Sequence, residues 1–260
     1  MAVEVFESDA KGNRLSFVLK GANPATANSL RRSVLQDVPT MAIEDVEFRK
    51  NSSILYDEII AHRLGLVPLT TDLQGYSIPE KCKCKGQGCA SCQAKLTLKA
   101  EGPATVYSSD LKSKDPEIKP VFPGMPIVKL LKGQKLELEA TAVLGTGKQH
   151  SKWAPGHIYY KQKPVFKAGD VKNPEDVAKA CPAGVFEVRH GKLVANEALL
   201  MKYDLAGVVE EVSNGGASIE ATDDFVFYLE SFGQLSCKQI MEKAVEEFES
   251  QLIEFQKLLK

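Results

Sequence analysis

The chain has 260 residues and carries 33 lysine and arginine residues against 34 aspartate and glutamate residues, a formal net charge of −1. A nearly neutral chain has no overall attraction for nucleic acid or for an anionic membrane, which argues against a dedicated DNA-binding module. The length predicts two or three domains. No stretch approaches the roughly 20 apolar residues of a membrane span, and the opening residues lack a signal-peptide pattern, so we expect a cytoplasmic protein.

The first 40 residues predict a β-hairpin followed by a helix. The segments VEVFES and RLSFVLKG alternate between polar and apolar residues, and the turn-forming DAKGN lies between them. Asn23 can cap a helix whose first residue is Pro24 and which ends before Pro39. Its apolar stripe consists of Ala27, Leu30, Val34 and Val38. The sheet therefore starts with one apolar face that needs cover.

Two insertions are predicted in the middle of the chain. Residues 41–165 contain short β-rich segments between Gly- and Pro-rich connections, which predict a strand-rich domain with one helix near residues 57–64. Residues 166–222 predict helices in NPEDVAKA and ANEALLMKYDLAGVVEEV and a tight hairpin in GVFEVRHGKLV. The following DDFVFYLES alternates strictly, and we expect this strand to rejoin the sheet of the N-terminal hairpin.

The last helix, predicted from about residue 236 to 260, carries an unbroken heptad seam. Its members follow one another at alternating spacings of four and three: Met241, Val245, Phe248, Leu252, Phe255 and Leu259. At 1.5 Å per residue the helix is roughly 35 Å long, more than the sheet beneath it can cover. The seam could pack entirely on its own sheet, but its length and its large aromatic residues favour contact with another chain.

Four of the six cysteines lie close together in a pattern typical of a metal site. Cys82, Cys84, Cys89 and Cys92 form a CxCx4CxxC motif, and the glycines between the two pairs permit the sharp return that such a loop needs. Four thiolates suit a tetrahedral zinc ion. A pair of disulfides is the alternative, since some intracellular proteins of hyperthermophiles contain them.

Three motifs together resemble the D-type assembly subunits of archaeal RNA polymerases. They are NSLRRSVLQDVPTMAIEDVEF, DEIIAHRLGLVPL and GTGKQHSKWAPG. The same family includes the third-largest subunit of eukaryotic RNA polymerase II and the N-terminal domain of the bacterial alpha subunit. The resemblance covers nearly the whole chain, because the order of the hairpin, the Arg-bearing helix, the inserted domains, the return strand and the terminal helix also agrees.

The resemblance implies an α+β fold with a discontinuous dimerisation domain, made of a sheet and two helices, at residues 1–40 and 223–260. A strand-rich domain at residues 41–165, with its cysteine loop at 82–92, and a small ferredoxin-like domain at residues 166–222 are inserted into it. It also implies a non-catalytic subunit of a nucleotidyltransferase complex. This subunit would form a heterodimer with subunit L through the seam and then bind the large subunits and other small assembly subunits, with DNA reached only through the complex.

Further interface residues follow from the resemblance. The Arg-bearing helix and two exposed segments are expected to contact large subunits through Arg31, Arg32, His62, Arg63, Lys148, His150, Lys152 and Trp153. An exposed tryptophan beside cations is also the usual composition of an interface anchor.

The metal expectations also depend partly on the resemblance. Eukaryotic relatives carry a similar zinc-binding loop, with a central gap that differs by one residue. Many archaeal relatives carry an iron-sulfur cluster in the ferredoxin-like domain, but here only Cys181 remains, and the other positions hold Met201, Asp204 and Gly207. One thiolate cannot hold a cubane cluster, so we expect zinc and no iron-sulfur centre.

Two other functions remain open from the sequence. Cys181-Pro182 and the cysteine-rich loop could belong to a ferredoxin-like electron-transfer protein. The loop and its lysines could also belong to a zinc-dependent nucleic-acid-binding protein.

Overall fold

The structure is a computed structural model that describes residues 1–259, so Lys260, the last residue of the predicted helix and of the predicted dimerisation domain, lies outside it. Contacts divide the chain into two units, each discontinuous in sequence. The first contains residues 1–8, 15–28 and 159–228, and the second contains residues 9–14, 29–158 and 229 onward.

The strands are β1 (Ala2–Ser8), β2 (Arg14–Lys20), β3 (Pro39–Asn51), β4 (Gln93–Glu101), β5 (Ala104–Tyr107), β6 (Lys112–Ser113), β7 (Pro126–Leu130), β8 (Lys135–Thr146), β9 (Gly156–Ala168), β10 (Phe186–Arg189), β11 (Lys192–Ala195) and β12 (Ala217–Ser231). The helices are α1 (Pro24–Gln36), α2 (Asp57–Gly65), α3 (Pro174–Ala180), α4 (Glu197–Leu200), α5 (Ala206–Val212) and α6 (Cys237–Leu258).

The N-terminal hairpin belongs to a four-stranded sheet with the order β1-β2-β12-β9. The prediction that the strand after residue 222 rejoins the hairpin is confirmed, since β12 lies beside β2, and Phe17 stacks on Phe227 with ring centroids 5.0 Å apart. Strand β9, whose first residues the sequence assigns to the strand-rich insertion, is instead the edge strand of this sheet. Alternation predicts that a segment is a strand but does not identify the strand beside it.

Strand β2 is buried on both faces, not on one as its alternation suggests. Phe17 and Leu19 cover one face, while Val18 on the other packs with Met201 and Val226. The second face is covered by the segment around Met201, which is distant in sequence. Strands that are covered on both sides lose the simple inside-outside alternation.

The first unit also contains the small α+β segment predicted between residues 166 and 222. Helix α3 and the β10-β11 hairpin are present as predicted, but the second predicted helix is divided into α4 and α5. The core of this small α+β segment is an apolar cluster of its own: Val177, Cys181, Val185, Phe186, Leu193, Leu200, Leu205, Val209 and Ala217. The ferredoxin-like character of this segment stays a prediction.

The second unit contains the sheet β3-β8-β4-β6 and the two-stranded sheet β5-β7. Helix α2, observed where the sequence predicts it, buries Ile60 and Leu64 against the sheet core. Large members of this core are Met41, Ile43, Leu69, Leu96, Leu98, Leu130, Leu136 and Leu138. Strand β7 was not predicted, because KPVFPGMP is typical of a connection. Pro126 is tolerated as the first residue of the strand.

Candidate metal centre and subunit interface

The cysteine loop lies between a short 3-10 turn at Pro79–Lys81 and strand β4. Gly86 and Gly88 adopt positive φ angles of 80° and 85°, and Lys85 also has a positive φ of 55°. These left-handed conformations reverse the chain between the two cysteine pairs, and glycine adopts them without steric strain. The role predicted for the two glycines is thereby confirmed.

All four thiols converge on one point. Their sulfur atoms lie within 4.8 Å of one another, with 3.6 Å between Cys82 and Cys89, 3.5 Å between Cys84 and Cys92 and 3.8 Å between Cys89 and Cys92. A zinc ion about 2.3 Å from each sulfur separates neighbouring sulfurs by about 3.8 Å at the tetrahedral angle, whereas a disulfide needs about 2.05 Å. The four residues therefore fit a tetrahedral metal ion, and none of them forms a disulfide.

The electrostatics of the cluster also suit a cation. Burial raises the pKa of Cys84, but hydrogen bonds from Cys92, Cys82 and Cys89 outweigh it and lower that pKa to about 6. Burial raises the pKa of Cys92 to about 12, although the Cys89 N–H also donates to its sulfur over 3.2 Å. The Cys84 thiol thus loses its proton more readily than an ordinary cysteine and the Cys92 thiol less readily, and a divalent metal would stabilise the thiolate form of its ligands.

Cys181 has a different environment. It is buried in the apolar cluster of the small α+β segment, and burial raises its pKa. Of the other positions that the resemblance predicts to be lost cluster positions, Met201 packs with Val18 and Val226, and its carbonyl accepts a hydrogen bond from Tyr228. Asp204 and Gly207 supply no thiol, so these four positions offer one thiolate and cannot hold a four-iron cluster.

The burial of the terminal helix α6 changes along its length. Its buried residues are Cys237, Ile240 and Ala244, all in the first half. Met241 and Phe248 of the predicted seam are half-buried. The other seam members are exposed by 53% to 72%: Val245, Leu252, Phe255 and Leu259. The described residues of the second half thus present an apolar seam that this chain leaves uncovered.

The predicted arginine and histidine interface residues are at or near the surface. Arg32 is exposed and donates to the Gln36 side chain over 3.3 Å, while Arg31 is half-buried. His62 and Arg63 are exposed on α2, and Arg63 also donates to the Pro126 carbonyl over 2.7 Å. Their contact with other subunits stays a prediction.

The expectation of an exposed tryptophan at residue 153 is wrong. Trp153 is only 6% exposed, and its indole N–H donates to the Val143 carbonyl over 3.2 Å. The ring fits over Gly145, where an added Cβ would clash with it. Lys152 is also largely withdrawn, because its amine pairs with Glu44 and lies 4.3 Å from the tryptophan ring centroid. The polar residues next to Trp153 in the sequence favour an exposed side chain. Its burial depends instead on Gly145 of β8, which leaves room for the ring.

Lys148 and His150 of the same loop remain exposed. His150 accepts a hydrogen bond from the Lys152 N–H through Nδ1 over 3.0 Å. Of the four residues predicted here, these two are the ones that a partner could contact directly.

Sequence reasoning passed over two strongly exposed apolar residues, Ile54 and Tyr56, which are 81% and 79% exposed. Their position on either side of Leu55 was the available signal. Leu55 packs against the core, while the side chains on either side of it point to solvent.

Among residues 1–259, no helix is both long and apolar enough to cross a membrane.

Comparison with known proteins defines the class of protein. The family described as the RNA polymerase Rpb3/RpoA insert domain matches residues 44–158. This match lies within the predicted strand-rich insertion, although the predicted limits of all three domains stay predictions.

Full-length relatives then identify the family. The chain is 38% identical to DNA-directed RNA polymerase subunit Rpo3 of Archaeoglobus fulgidus over 99% of this chain and 97% of the relative. It is 40% identical to the Rpo3 subunit of Methanosarcina acetivorans over 93% and 92% of the two chains, and 48% identical to that of Pyrococcus furiosus over 61% and 59%. The chain belongs to the Rpo3 family of archaeal RNA polymerase subunits. This membership does not favour the electron-transfer and nucleic-acid-binding alternatives.

Proposed function

We propose that this chain is a non-catalytic assembly subunit of a DNA-directed RNA polymerase. Its terminal helix pairs with a small partner, subunit L, and the resulting pair recruits the large subunits that build the catalytic centre. The single observation that carries this proposal is the uncovered apolar seam on the second half of α6.

The physical argument starts from the environment of that seam. Leu252, Phe255 and Leu259 lie on one side of a helix and are more than half exposed. Each large apolar side chain that leaves water contributes about 1.5–3 kcal/mol, so the seam favours association strongly if another chain covers it. A heptad pattern with aromatic members is suited to a partner helix that inserts its own side chains between them.

Contacts with the large subunits are assigned to basic residues at or near the surface. Arg31 and Arg32 on α1, Arg63 on α2 and the exposed Lys148 fit this role, together with His62 and His150. A guanidinium stays charged and can make two parallel hydrogen bonds to a carboxylate across a subunit boundary. DNA would be reached only through the assembled enzyme.

The four-cysteine loop is proposed to hold one zinc ion with a structural role. Cys82, Cys84, Cys89 and Cys92 would occupy all four positions of a tetrahedral ion, leaving none open for substrate or water. The metal would therefore stabilise the loop and catalyse nothing. The exposed neighbours Lys81, Lys83 and Lys85 would partly neutralise the two negative charges of such a site.

Native mass spectrometry of the chain co-expressed with subunit L, combined with metal analysis, tests the main proposal. We expect a 1:1 pair that contains one zinc ion and no iron, in a colourless preparation. A chain that stays a stable monomer in the presence of the partner, with the seam covered by its own residues, would overturn the assembly role.

A matched pair of cysteine variants tests the metal assignment. Cys82→Ser combined with Cys84→Ser should remove the zinc while pairing with subunit L persists, because neither cysteine is a member of the seam. Cys181→Ala is the control, since this buried thiol lies outside the four-cysteine loop and its loss should leave the zinc content unchanged. Equal zinc content in the wild type, the double variant and the control would contradict the assignment.

A further inference from the structure

The thiols of the cysteine loop form two close pairs across the chain reversal. The Cys84 and Cys92 sulfurs lie 3.5 Å apart. The Cys82 and Cys89 sulfurs lie 3.6 Å apart. We call these two the crossed pairs, because bonds within them would interleave along the chain. Four cysteines can be joined in three ways, and the crossed arrangement uses the two shortest sulfur contacts that have hydrogen-bond geometry.

Each crossed pair joins a partly exposed cysteine to a buried one. Cys84 and Cys89 are half-buried, whereas their partners are only 1% and 8% exposed. Cysteines that respond to oxidants are accessible and often lie next to a second cysteine, which closes the disulfide. Both crossed pairs have this composition.

Two cavities lie beside the loop. One of about 280 Å³ is lined in part by Gly86, Gly88 and Cys92. The other, of about 400 Å³, is lined in part by Gly88 and Cys89. Hydrogen peroxide is little larger than water, which occupies about 30 Å³ per molecule in the liquid. A peroxide molecule therefore fits in either cavity and can reach the sulfurs from two sides.

Oxidation would also change the charge of the loop. Four thiolates around a divalent ion carry two net negative charges, whereas two disulfides carry none. Lys81, Lys83 and Lys85 are exposed in this loop. The oxidised loop would thus present a more basic surface than the metal-bound loop.

We propose that the cysteine loop is a thiol-oxidation site, in which a peroxide converts the crossed pairs into two disulfides and releases the metal ion. The release of the metal rests on the zinc site of the proposed function. The choice of disulfide partners rests on the sulfur distances and on burial, and it holds with or without a metal.

The reaction at the first crossed pair shows how atoms and electrons balance. The Cys84 thiolate attacks one peroxide oxygen, the O–O bond breaks, a sulfenic acid forms and hydroxide leaves. The Cys92 thiolate then attacks the Cys84 sulfur, so the S–S bond forms as the S–O bond breaks and a second hydroxide leaves. The pair loses two electrons, which reduce one peroxide molecule. A second peroxide molecule oxidises the other crossed pair in the same way.

The crossed disulfides would keep the loop closed after the metal has left. Each of them spans the chain reversal at Gly86 and Gly88, so it holds together the same two segments that the metal joins. A disulfide sulfur is no longer a thiolate and does not hold zinc. A thiol reductant with added zinc should therefore restore the first state.

Treatment of the full-length chain with hydrogen peroxide, after reduction and loading with zinc, tests the inference. A chromogenic chelator measures released zinc, a thiol reagent in denaturant counts free thiols, and tandem mass spectrometry maps the disulfides. We expect the loss of one zinc ion per chain and of four of the six thiols, with bonds only within the crossed pairs. Dithiothreitol and zinc should reverse both losses.

Two variants sharpen the test. Cys181→Ala, which removes a buried thiol outside the loop, is the matched control and should also lose four thiols. Cys92→Ser leaves Cys84 without its partner, so Cys84 should be oxidised further to a sulfinic acid that dithiothreitol does not reduce.

The outcomes separate this inference from the proposed zinc site. A chain that keeps its zinc and all its thiols in peroxide overturns the inference and leaves the zinc site intact. Disulfides in another pairing, disulfides between two chains, or zinc loss with sulfinic acids alone also overturn it. A chain that binds no zinc but forms the crossed disulfides overturns the zinc assignment and supports the oxidation site.

Discussion

The two halves of helix α6 share one apolar seam but have different surroundings. In the first half, Cys237, Ile240 and Ala244 beside the seam are buried by the rest of the chain. In the second half, the seam residues Leu252 and Phe255 are more than half exposed. One helix can therefore stabilise its own chain through its first turns and bind another chain through its last turns. Substitutions in each half can establish whether these two roles separate.

The largest expected effect comes from a charge in the buried half. Ala244 is fully buried, so Ala244→Asp places a carboxylate where water cannot reach it. We expect the free energy of unfolding of the isolated chain to fall by more than about 4 kcal/mol, or the chain to fail to fold. Denaturant unfolding measures this change. A variant as stable as the wild type would show that the first half is not part of the chain's own core.

A charged residue in the exposed half should weaken pairing with the partner without changing the stability of the isolated chain. Phe255→Glu should leave the stability of the isolated chain unchanged and weaken pairing with subunit L by about 100-fold or more, since a charge enters an apolar interface. Phe248→Glu, at a half-buried position, should reduce both stability and pairing. Titration calorimetry and thermal melting measure the two quantities. Wild-type affinity for Phe255→Glu would contradict the division between the halves.

A smaller effect is expected at the hydrogen bond that joins α1 to the buried half. The hydroxyl of the buried Ser33 donates to the Ala244 carbonyl over 2.8 Å. Ser33→Ala removes this bond, and we expect a loss of about 1 kcal/mol of stability. Chemical denaturation measures it, with pairing as the second readout. Unchanged stability would mean that this contact contributes nothing to holding the first half of α6.

Several features of the fold and of the candidate metal site can be predicted from the sequence. The N-cap residue Asn23, the hairpin turn, the start of the last helix near residue 236 and the heptad seam are local patterns, and local patterns specify local structure. The four cysteines were equally clear, because metal ligation requires particular residue types at short spacings. In each of these cases the residues that make the contact are near one another in the chain.

Three features that were not predicted depend on residues distant in sequence or on neighbouring strands. Trp153 is buried because Gly145 on β8 leaves room for its ring, and Val18 is covered by Met201. The edge position of β9 depends on its pairing with β12. A single sequence carries no signal for such contacts, so the composition beside Trp153 favoured an exposed residue although packing places it inside.

An effect as small as that of Ser33→Ala is expected at the start of α6, where the chain enters the buried half. The Ser236 side chain accepts from the Gln239 N–H, and the Gln239 side chain accepts from the Ser236 N–H over 3.0 Å, so the two residues form a capping box. Ser236→Ala removes one half of this arrangement, and we expect a loss of about 1 kcal/mol in the free energy of unfolding. Ser236→Asp should restore most of it, because a carboxylate also accepts the Gln239 N–H and favours the positive end of the helix dipole. Pairing should stay at the wild-type level in both variants, since the cap lies at the other end of the helix from Leu252 and Phe255. A loss of pairing that exceeds the loss of stability would show that the two halves act as one unit.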